Sequence, residues 1–299
     1  MHLTPPVSRA VKRNVQAWLL VLPTFIFLSL FSFWPFLKTI YLSFFQKNLY
    51  VRNEVFAGFQ NYADAFADPV FLTSIKNNAR FTLMVVPACL VLGIFFAYIL
   101  NNNRRGITFF RTAIFYPNVS PMIGFSLIWV FLLTPDIGFF DHITKMLGGR
   151  TVRWLGDPRY VLSALSFVYI WREAGYLMIF FLSGMQGIPT EYYEAATIDG
   201  ANGWHQFFRI TLPLLMPTMV FALTMTITNS IKMVDSIIVM TEGGPNHASS
   251  MIMYHIYKTA FSYWDQGMAA TFSVIMLVLV LTVVALQYFL LDRVAHYES

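Results

Sequence analysis

Long charge-free apolar runs restrict this chain to a membrane-spanning fold. They occupy residues 14–37, 81–103, 112–135, 210–231 and 266–291. Each is longer than the roughly 20 helical residues that cross a bilayer core about 30 Å thick. Only 12% of the residues are charged, which is about half the share found in soluble domains. The sequence therefore predicts an all-α, polytopic membrane protein.

A sixth span is predicted where the apolar stretch 160–189 carries the charged pair Arg172 and Glu173 near its middle. Neither half is long enough to cross a bilayer, whereas the whole stretch is. We expect one domain over residues 1–299, and its first span is interpreted as uncleaved because no small-residue cleavage site follows it. The six predicted spans lie at about 15–38, 80–102, 112–134, 161–186, 213–238 and 267–291.

The basic residues favour an orientation with both termini in the cytoplasm. Short basic loops beside the ends of spans carry most of the orienting weight. Segment 187–212 is then cytoplasmic, and segments 39–79, 135–160 and 239–266 face outwards. The two densest basic groups, both predicted to be cytoplasmic, are Arg9, Lys12 and Arg13 in the N-terminal tail and Arg104, Arg105 and Arg111 around the loop after the second span.

Several functions are excluded by composition and by missing motifs. The Lys and Arg residues are scattered between apolar runs, whereas a nucleic-acid-binding protein gathers them on one face. The sequence contains no Gly-Lys pair, so it lacks the phosphate-binding loop of ATPases. H-E-x-x-H and G-x-S-x-G are also absent, and the single cysteine, Cys89, cannot form an internal disulfide. We expect neither an enzyme nor a metal site.

A short polar segment, EYYEAATIDGANGW at 191–204, interrupts the apolar pattern. Thr190 is predicted to cap a short helix that ends at Asp199 and Gly200, because glycine can adopt the left-handed conformation that ends helices. A helix this short is marginal alone, so it either docks on a partner or rests on the protein's own helices. The face that presents small residues for close approach consists of Tyr192, Ala195, Ala196 and Asp199.

Polar residues inside the spans are costly, which makes them candidates for a solute path. Sugars require hydrogen-bonding groups and aromatic faces, and Trp171 and Tyr176 flank the charged pair. Arg172 and Glu173 point about 100° apart on a helix, so each is expected to find a partner on another helix or in a sister subunit. The same polar groups could instead join helices by hydrogen bonds. The candidates are Asn118, Ser120, Trp171, Arg172, Glu173, Tyr176, Thr226, Thr228, Asn229, Ser230, Lys232 and Asp235.

The polar segment carries a family resemblance. It resembles the EAA signature of the membrane subunits of ABC importers, and its surroundings are similar to the carbohydrate branch, which includes the maltose and glycerol-3-phosphate systems. The stretches GFQNYADAF, YPNVSPMIGFSLIWVFLLTPDIG, DSIIVMTEGGP and YHIYKTAF agree with this branch. The signature consists of Glu194-Ala195-Ala196, Gly200 after three residues, Ile210 after nine more, and Leu212-Pro213 after one.

The resemblance implies an importer permease fold with a cytoplasmic coupling helix that seats in a groove of an ATPase. It also implies a second homologous permease subunit, usually a different chain, two cytoplasmic ATPase subunits that hold ATP and Mg, and an extracytoplasmic solute-binding protein. The chain itself binds no cofactor and lies in a bacterial or archaeal cytoplasmic membrane. The expected coupling residues are Tyr192, Glu194, Ala195, Ala196, Asp199 and Gly200. The expected contacts with the binding protein are Gly243, Gly244, Pro245, Asn246 and His247.

The solute stays open among mono-, di- and oligosaccharides, polyols and glycerol phosphodiesters. An alternative function is an ion-coupled secondary transporter of a small polar solute. That class often shows inverted repeats, and no repeat is evident here. The pair of Arg172 and Glu173 would nevertheless suit a proton path.

Overall fold

The computed structural model describes residues 7–51, 53–102 and 105–291, and most of these residues are helical. The first part contains α1 (Val7–Leu28), a π-helical turn (Ser29–Phe33), α2 (Trp34–Leu42), β1 (Phe45–Gln46), β2 (Val55–Phe56), α3 (Gln60–Ala67), α4 (Pro69–Leu100), α5 (Ile107–Val119) and α6 (Met122–Leu133). The second part contains α7 (Phe139–Met146), α8 (Val161–Gln186), α9 (Thr190–Ile198), α10 (Gly203–Gln206), a second π-helical turn (Phe207–Thr211), α11 (Leu212–Leu214), α12 (Met216–Ile231), α13 (Asp235–Met240), α14 (Ile252–Phe261) and α15 (Gln266–Leu291).

The described residues contain four helices that are long and apolar enough to cross a membrane: Gln16–Leu42, Pro69–Leu100, Val161–Gln186 and Gln266–Phe289. Two further candidates are broken: α5 and α6 are bent by 99°, and Gly203–Leu214 and α12 are bent by 66°. The number of candidate spans is therefore four to six.

The break between α5 and α6 falls at Ser120 and Pro121, inside the run predicted as a single span over 112–134. Ser120 has an extended conformation, with φ −70° and ψ 140°. A residue before proline is driven out of the helical region, and proline itself cannot donate a backbone hydrogen bond. The local sequence therefore explains why this run forms two helices.

Helix α4 begins well before the predicted span at 80–102. Asp68 caps it, because its side chain accepts a hydrogen bond of 2.8 Å from the Val70 amide, and Pro69 occupies the first helical position, where no donor is needed. Its first turns therefore belong to the stretch predicted as an outer segment. That stretch also holds the antiparallel pair β1–β2, with Phe45 opposite Phe56, so the fold is mostly helical rather than all-α.

The chain divides into two compact units. The first comprises the residues up to 65 together with 259–274. At its centre the Asn61 amide donates to the carbonyls of Ser43 and Phe45, each at 3.0 Å. The Thr271 hydroxyl also donates to the Ser43 carbonyl, at 3.1 Å.

The second unit comprises residues 66–258 together with those from 275 onwards. Its apolar core lies along α4 and α8, where Phe81, Val85, Leu165 and Phe181 are fully buried. Gly175 lets α5 approach α8, because a Cβ at this position would lie 2.1 Å from the Ile114 carbonyl oxygen. Cys89 is a buried free cysteine in this core.

A buried carboxyl fixes the segment after α6. Lys145 lies 2.8 Å from Asp141 and 2.9 Å from Asp136. The Asp136 amide also donates to Asp141, at 3.0 Å. The Lys145 hydrogen bond is the main cause that holds the pKa of Asp141 below its ordinary value. The conformation of this segment therefore depends on an ionised aspartate.

The predicted orientation involves basic residues that the structure describes only in part. Arg105 and Arg111 are described, and the Arg111 guanidinium donates to the Leu100 carbonyl at 2.6 Å. Arg104, the side chains of Arg9, Lys12 and Arg13, and the terminal residues 1–6 and 292–299 lie outside the described part of the chain. The placement of both termini in the cytoplasm stays a prediction.

Candidate functional site

A cavity of about 240 Å³ opens among α6, α8, α12 and α13. It brings together five residues predicted as candidates for a solute path: Arg172, Glu173, Asn229, Lys232 and Asp235. These residues belong to α8, to the C-terminal end of α12 and to the N-terminal end of α13. Only tertiary packing therefore brings them together. The complete lining consists of Met122, Tyr169, Arg172, Glu173, Asn229, Lys232, Met233, Val234, Asp235 and Ser236.

One wall of the cavity is a stripe on α8 made of Tyr169, Arg172 and Glu173. Residues three and four apart share a face of a helix, which explains why these three converge. Sequence reasoning missed Tyr169. The signal that would have found it is its spacing of three and four from the charged pair.

Arg172 and Glu173 do not diverge as predicted, since both line the same cavity. The Arg172 guanidinium donates to the Asn118 carbonyl on α5 at 3.4 Å, and the side chain of Asn229 on α12 lies beside the Glu173 carboxyl. Each therefore has a neighbour on another helix, as expected. Adjacent positions on a helix point about 100° apart. Both side chains can still reach the same cavity, because the arginine side chain is long.

Burial changes along the cavity from its inner end to its mouth. Tyr169 and Glu173 are each only 6% exposed, Arg172 is half-buried, and Lys232 and Asp235 are exposed. Within the described residues no ion pair joins Arg172 to Glu173. The Tyr169 hydroxyl, Arg172 Nε and Glu173 Oε1 are buried without any hydrogen-bond partner.

The predicted aromatic partners lie outside this cavity. Trp171 is 58% exposed, and its ring centroid is 6.4 Å from that of Trp129. Tyr176 packs on Phe180, with ring centroids 4.9 Å apart. The aromatic ring that does line the cavity is Tyr169.

The hydroxyl candidates on α12 join helices or satisfy their own backbone. Thr226 and Thr228 donate to carbonyls four residues earlier, at 2.7 and 2.8 Å. Ser230 shares a hydrogen bond of 2.8 Å with Thr82 on α4. These contacts agree with the alternative interpretation, in which the polar groups hold helices together rather than bind a solute. Ser120 lies at the break between α5 and α6.

The polar segment forms α9, from Thr190 to Ile198. The predicted cap is wrong by one residue: Pro189 takes the cap position, and no side-chain hydrogen bond caps the helix. Thr190 is already helical, because proline has the extended ψ of 136° that precedes a helix. The predicted end is confirmed, since Asp199 closes the helix and Gly200 has φ +82°.

Helix α9 is tied to its own chain along one side. The hydroxyls of Tyr193 and Thr211 share a hydrogen bond of 2.9 Å, and the Gln206 amide donates to the Thr197 hydroxyl at 2.9 Å. Sequence reasoning missed Tyr193, whose contact joins α9 to the second π-helical turn. Ala196, on the same side as Tyr193, is half-buried.

The four residues of the predicted small-residue face therefore do not share one environment. Tyr192, Ala195 and Asp199 are exposed together with Glu194, whereas Ala196 is half-buried. An open groove beside α9 is lined by Thr190, Tyr193, Glu194, Thr197 and Ile198, so that of these four exposed residues only Glu194 borders it.

The segment predicted to contact a binding protein forms the loop between α13 and α14. Gly243 is buried with φ +77°, and a Cβ there would lie 2.5 Å from the Tyr254 ring. Gly244 and Pro245 are half-buried, whereas Asn246 and His247 are exposed at the tip.

A buried amide on α4 holds this loop. Asn77 donates to the carbonyls of His247 and Ser250, at 2.9 and 3.0 Å. Its neighbour Asn78 donates to the Ser230 carbonyl at 3.3 Å and accepts from the Ile252 amide at 3.3 Å. Both asparagines were missed, because the charges around them suggested an outer segment rather than a buried helix.

Comparisons with known proteins cover nearly the whole chain. Residues 89–296 match the family described as binding-protein-dependent transport system inner membrane component. The probable ABC transporter permease protein YurN of Bacillus subtilis (strain 168) is 31% identical over 280 residues, which cover 92% of this chain and 96% of the relative. The sulfoquinovosyl glycerol transport system permease protein SmoG of Agrobacterium fabrum (strain C58 / ATCC 33970) is 31% identical over 273 residues, 91% of this chain and 89% of the relative.

Among solved structures, the chain resembles a bacterial alginate ABC transporter crystallised in complex with an alginate pentasaccharide-bound periplasmic protein. The TM-score is 0.85, and the match covers 96% of this chain and 97% of that chain. The sequence identity is 22%, so this likeness concerns the fold.

Proposed function

Because the chain belongs to the family of binding-protein-dependent transport system inner membrane components, we propose that it imports a carbohydrate or a related polyol or glycerol phosphate. Members of this family are permease subunits of ABC importers, so the chain is a transport component rather than an enzyme. Family membership decides against the ion-coupled secondary transporter. The proposed solute class is supported by the SmoG relative, which is named as a permease of a sulfoquinovosyl glycerol transport system.

One observation supports the proposed mechanism: along the chain, α9 lies between two helices that line the cavity, with α8 before it and α12 after α10, the second π-helical turn and α11. Helix α8 bears Tyr169, Arg172 and Glu173, and α12 bears Asn229. The hydrogen bond between Tyr193 and Thr211 ties α9 to the π-helical turn that leads into α12. A displacement of α9 therefore moves two walls of the cavity relative to each other.

We assign α9 as the coupling helix on this basis. Its exposed residues Tyr192, Glu194, Ala195 and Asp199 form the surface that an ATPase subunit contacts, and Gly200 directs the chain towards α12. ATP-driven closure of two ATPase subunits presses on α9. The cavity then changes its accessibility from one side of the membrane to the other, which is alternating access. ATP and Mg act on the ATPase subunits.

The proposed assembly follows the same scheme. Each bent helix pair counts as one span, so that six spans place both termini and α9 in the cytoplasm of a bacterial or archaeal cell. A second homologous permease, usually a different chain, completes the pore. A solute-binding protein docks outside on the loop tip at Asn246 and His247.

The coupling role is tested with Ala196→Trp in the co-expressed importer. Ala196 is half-buried on the side of α9 that carries Tyr193, so a bulky side chain displaces the helix. We expect the loss of ATPase co-purification and of solute uptake, with normal membrane insertion. Glu194→Ala, which truncates one exposed side chain, should weaken both only mildly.

A matched control is Ala57→Trp, which introduces the same bulk at another half-buried alanine. This variant should retain the ATPase. Normal uptake by the Ala196→Trp protein would refute the coupling role of α9, which would then be a surface helix that rests on its own chain.

A further inference from the structure

We propose that the β1–β2 hairpin, residues 45–56, lies in the headgroup layer of the bilayer and contacts lipid through its exposed apolar and aromatic side chains. The layer concerned is the one at the end of α2, which is predicted to be the outer one. This inference goes beyond the import function and does not depend on the solute. It also changes the predicted outer segment 39–79, whose beginning then lies in the membrane interface instead of in water.

The hairpin exposes apolar side chains that its own unit leaves uncovered. Tyr50 is 94% exposed at the turn, and its neighbour Leu49 is also exposed. Phe56 on β2 and Phe59 shortly after it are exposed as well. Single exposed apolar residues are normal, whereas a local concentration of them marks a surface for protein or membrane. Something apolar is therefore expected to cover residues 49–59.

A row of aromatic rings joins the hairpin to the membrane helix that precedes it. Tyr41 lies in the last turn of α2, and its ring centroid is 4.3 Å from that of Phe45. The Phe45 centroid is 5.4 Å from that of Phe56, its partner on the other strand. Helix α2 has no buried residue. The uncovered surface of this candidate span therefore continues onto the hairpin through these rings, which favours lipid over a water-soluble partner.

The length of the preceding span places the hairpin at the level of the headgroups. The candidate span Gln16–Leu42 has 27 residues, which corresponds to about 40 Å of helix. The hydrocarbon core is about 30 Å thick, and the bilayer with its headgroups is about 40–45 Å thick. A helix of this length that crosses the core ends among the headgroups. Strand β1 follows almost at once, from Phe45.

The hairpin is also attached to the beginning of a second candidate span. The amides of Gln266 and Gly267 donate to the Lys47 carbonyl, at 2.9 and 3.2 Å. Gln266 is the first residue of the span Gln266–Phe289. Trp264, just before it, is exposed, and Trp and Tyr are enriched where a membrane meets water. The hairpin is therefore held where one span ends and another begins.

The polar groups of the hairpin suit a poorly hydrated environment. The Asn48 side chain accepts hydrogen bonds from the amides of Tyr50 and Val51, at 3.0 and 3.1 Å. The Lys47 ammonium lies 2.9 Å from the Glu54 carboxyl. Leaving water costs least where donors and charges already have partners. These contacts therefore lower the cost of placing the turn among the headgroups.

The test uses the complete importer in proteoliposomes of phosphatidylethanolamine and phosphatidylglycerol, with one small fluorophore on a single cysteine in a Cys89→Ser background. Tyr50→Cys and Leu49→Cys place the label on the turn of the hairpin. Leu37→Cys, at an exposed position of α2, is the reference for the hydrocarbon core. Asn246→Cys, at an exposed position of the loop between α13 and α14, is the reference for water. It also shows whether the label itself seeks the membrane.

Three quenchers are compared: lipids with a nitroxide in the headgroup, lipids with a nitroxide deep in the acyl chain, and iodide in water. At both hairpin positions we expect stronger quenching by the headgroup nitroxide than by the deep one, and the loss of most iodide quenching relative to Asn246→Cys. Leu37→Cys should show the reverse depth order. Each measurement is repeated with the loaded binding protein, which should change nothing at the hairpin.

Three results would overturn the inference. Iodide quenching at the hairpin equal to that at Asn246→Cys, without quenching by either lipid, would place the hairpin in water. Protection from all three quenchers would show that protein, such as a second permease, covers it. Iodide quenching that disappears only with the loaded binding protein would make the hairpin part of that docking surface. Solute uptake is measured separately, so the import function stands or falls independently of these results.

Discussion

Gly200 offers the sharpest test of how α9 is connected to the rest of the chain. Its φ of +82° lies in the left-handed region, and a Cβ built there meets no atom within 4 Å. The effect of Gly200→Val is therefore backbone strain without a steric clash. A Cβ in this region costs roughly 1–2 kcal/mol, and β-branching adds to the strain.

The strain is relieved if the chain leaves the left-handed conformation after Asp199. Two hydrogen bonds oppose this change: the Gly200 amide donates to the Thr197 carbonyl at 3.1 Å, and the Ala201 amide donates to the Ala196 carbonyl at 2.8 Å. If the ATPase binds only the native arrangement, its affinity falls by the same free energy. A cost of 1–2 kcal/mol then corresponds to about a 5- to 30-fold weaker association.

Gly148→Val is the matched control. Gly148 follows α7 with φ +77°, and a Cβ there also meets no atom within 4 Å. Both variants should lower the free energy of unfolding by a similar amount. Gly200→Asn should restore function in part, because asparagine tolerates the left-handed region.

The assay combines the thermal midpoint of the purified importer, ATPase pull-down and solute uptake for each variant. We expect a similar midpoint for the two valine variants, and loss of ATPase binding and uptake only for Gly200→Val. Equal losses of ATPase binding in both would show that general destabilisation is the cause. Wild-type uptake by Gly200→Val would refute the reasoning outright.

Three further predictions concern the segments that are predicted to face outwards. Asn77→Leu should lower the free energy of unfolding by about 2–3 kcal/mol, because two backbone carbonyls of the loop between α13 and α14 lose their donor; an unchanged thermal midpoint would contradict this. In a Cys89→Ser background, Asn246→Cys should react with an impermeant thiol reagent added outside, and reaction only from the cytoplasmic side would invert the topology. The pKa of Asp141 is lowered in the folded state, so its contribution to stability is present above the ordinary carboxyl range and is lost as the pH falls. Asp141→Asn should therefore lower the midpoint at neutral pH and flatten its decline below about pH 5, and an unchanged slope would contradict the assignment.

The sequence alone predicted those helices and helix ends that depend on nearby residues. The apolar runs predicted the long helices α4, α8 and α15 because a spanning helix satisfies its own backbone hydrogen bonds. Gly200 was predicted to have positive φ from its position after a short helix, and the structure agrees. The EAA signature indicated the family, which the comparisons show.

Hydrogen bonds between distant residues could not be predicted in this way. Asn77 was unremarkable in the sequence, because its two acceptors lie more than 160 residues further along the chain. Tyr193 was passed over for the alanines beside it, since its partner Thr211 belongs to a turn that only the fold brings close. Single-sequence periodicity carries no information about such pairs.

The cavity among α6, α8, α12 and α13 shows most clearly which features the sequence determined and which depended on the tertiary structure. The sequence by itself determined that Arg172 and Glu173 lie in the middle of an apolar helix, and the cost of charge in that setting marked them as a candidate site. Only the tertiary structure decided that Tyr169 and Asn229 join them while Trp171 points elsewhere. The reason is physical: helix spacing orders residues on one face, but which face meets a cavity depends on how α6, α12 and α13 pack against α8.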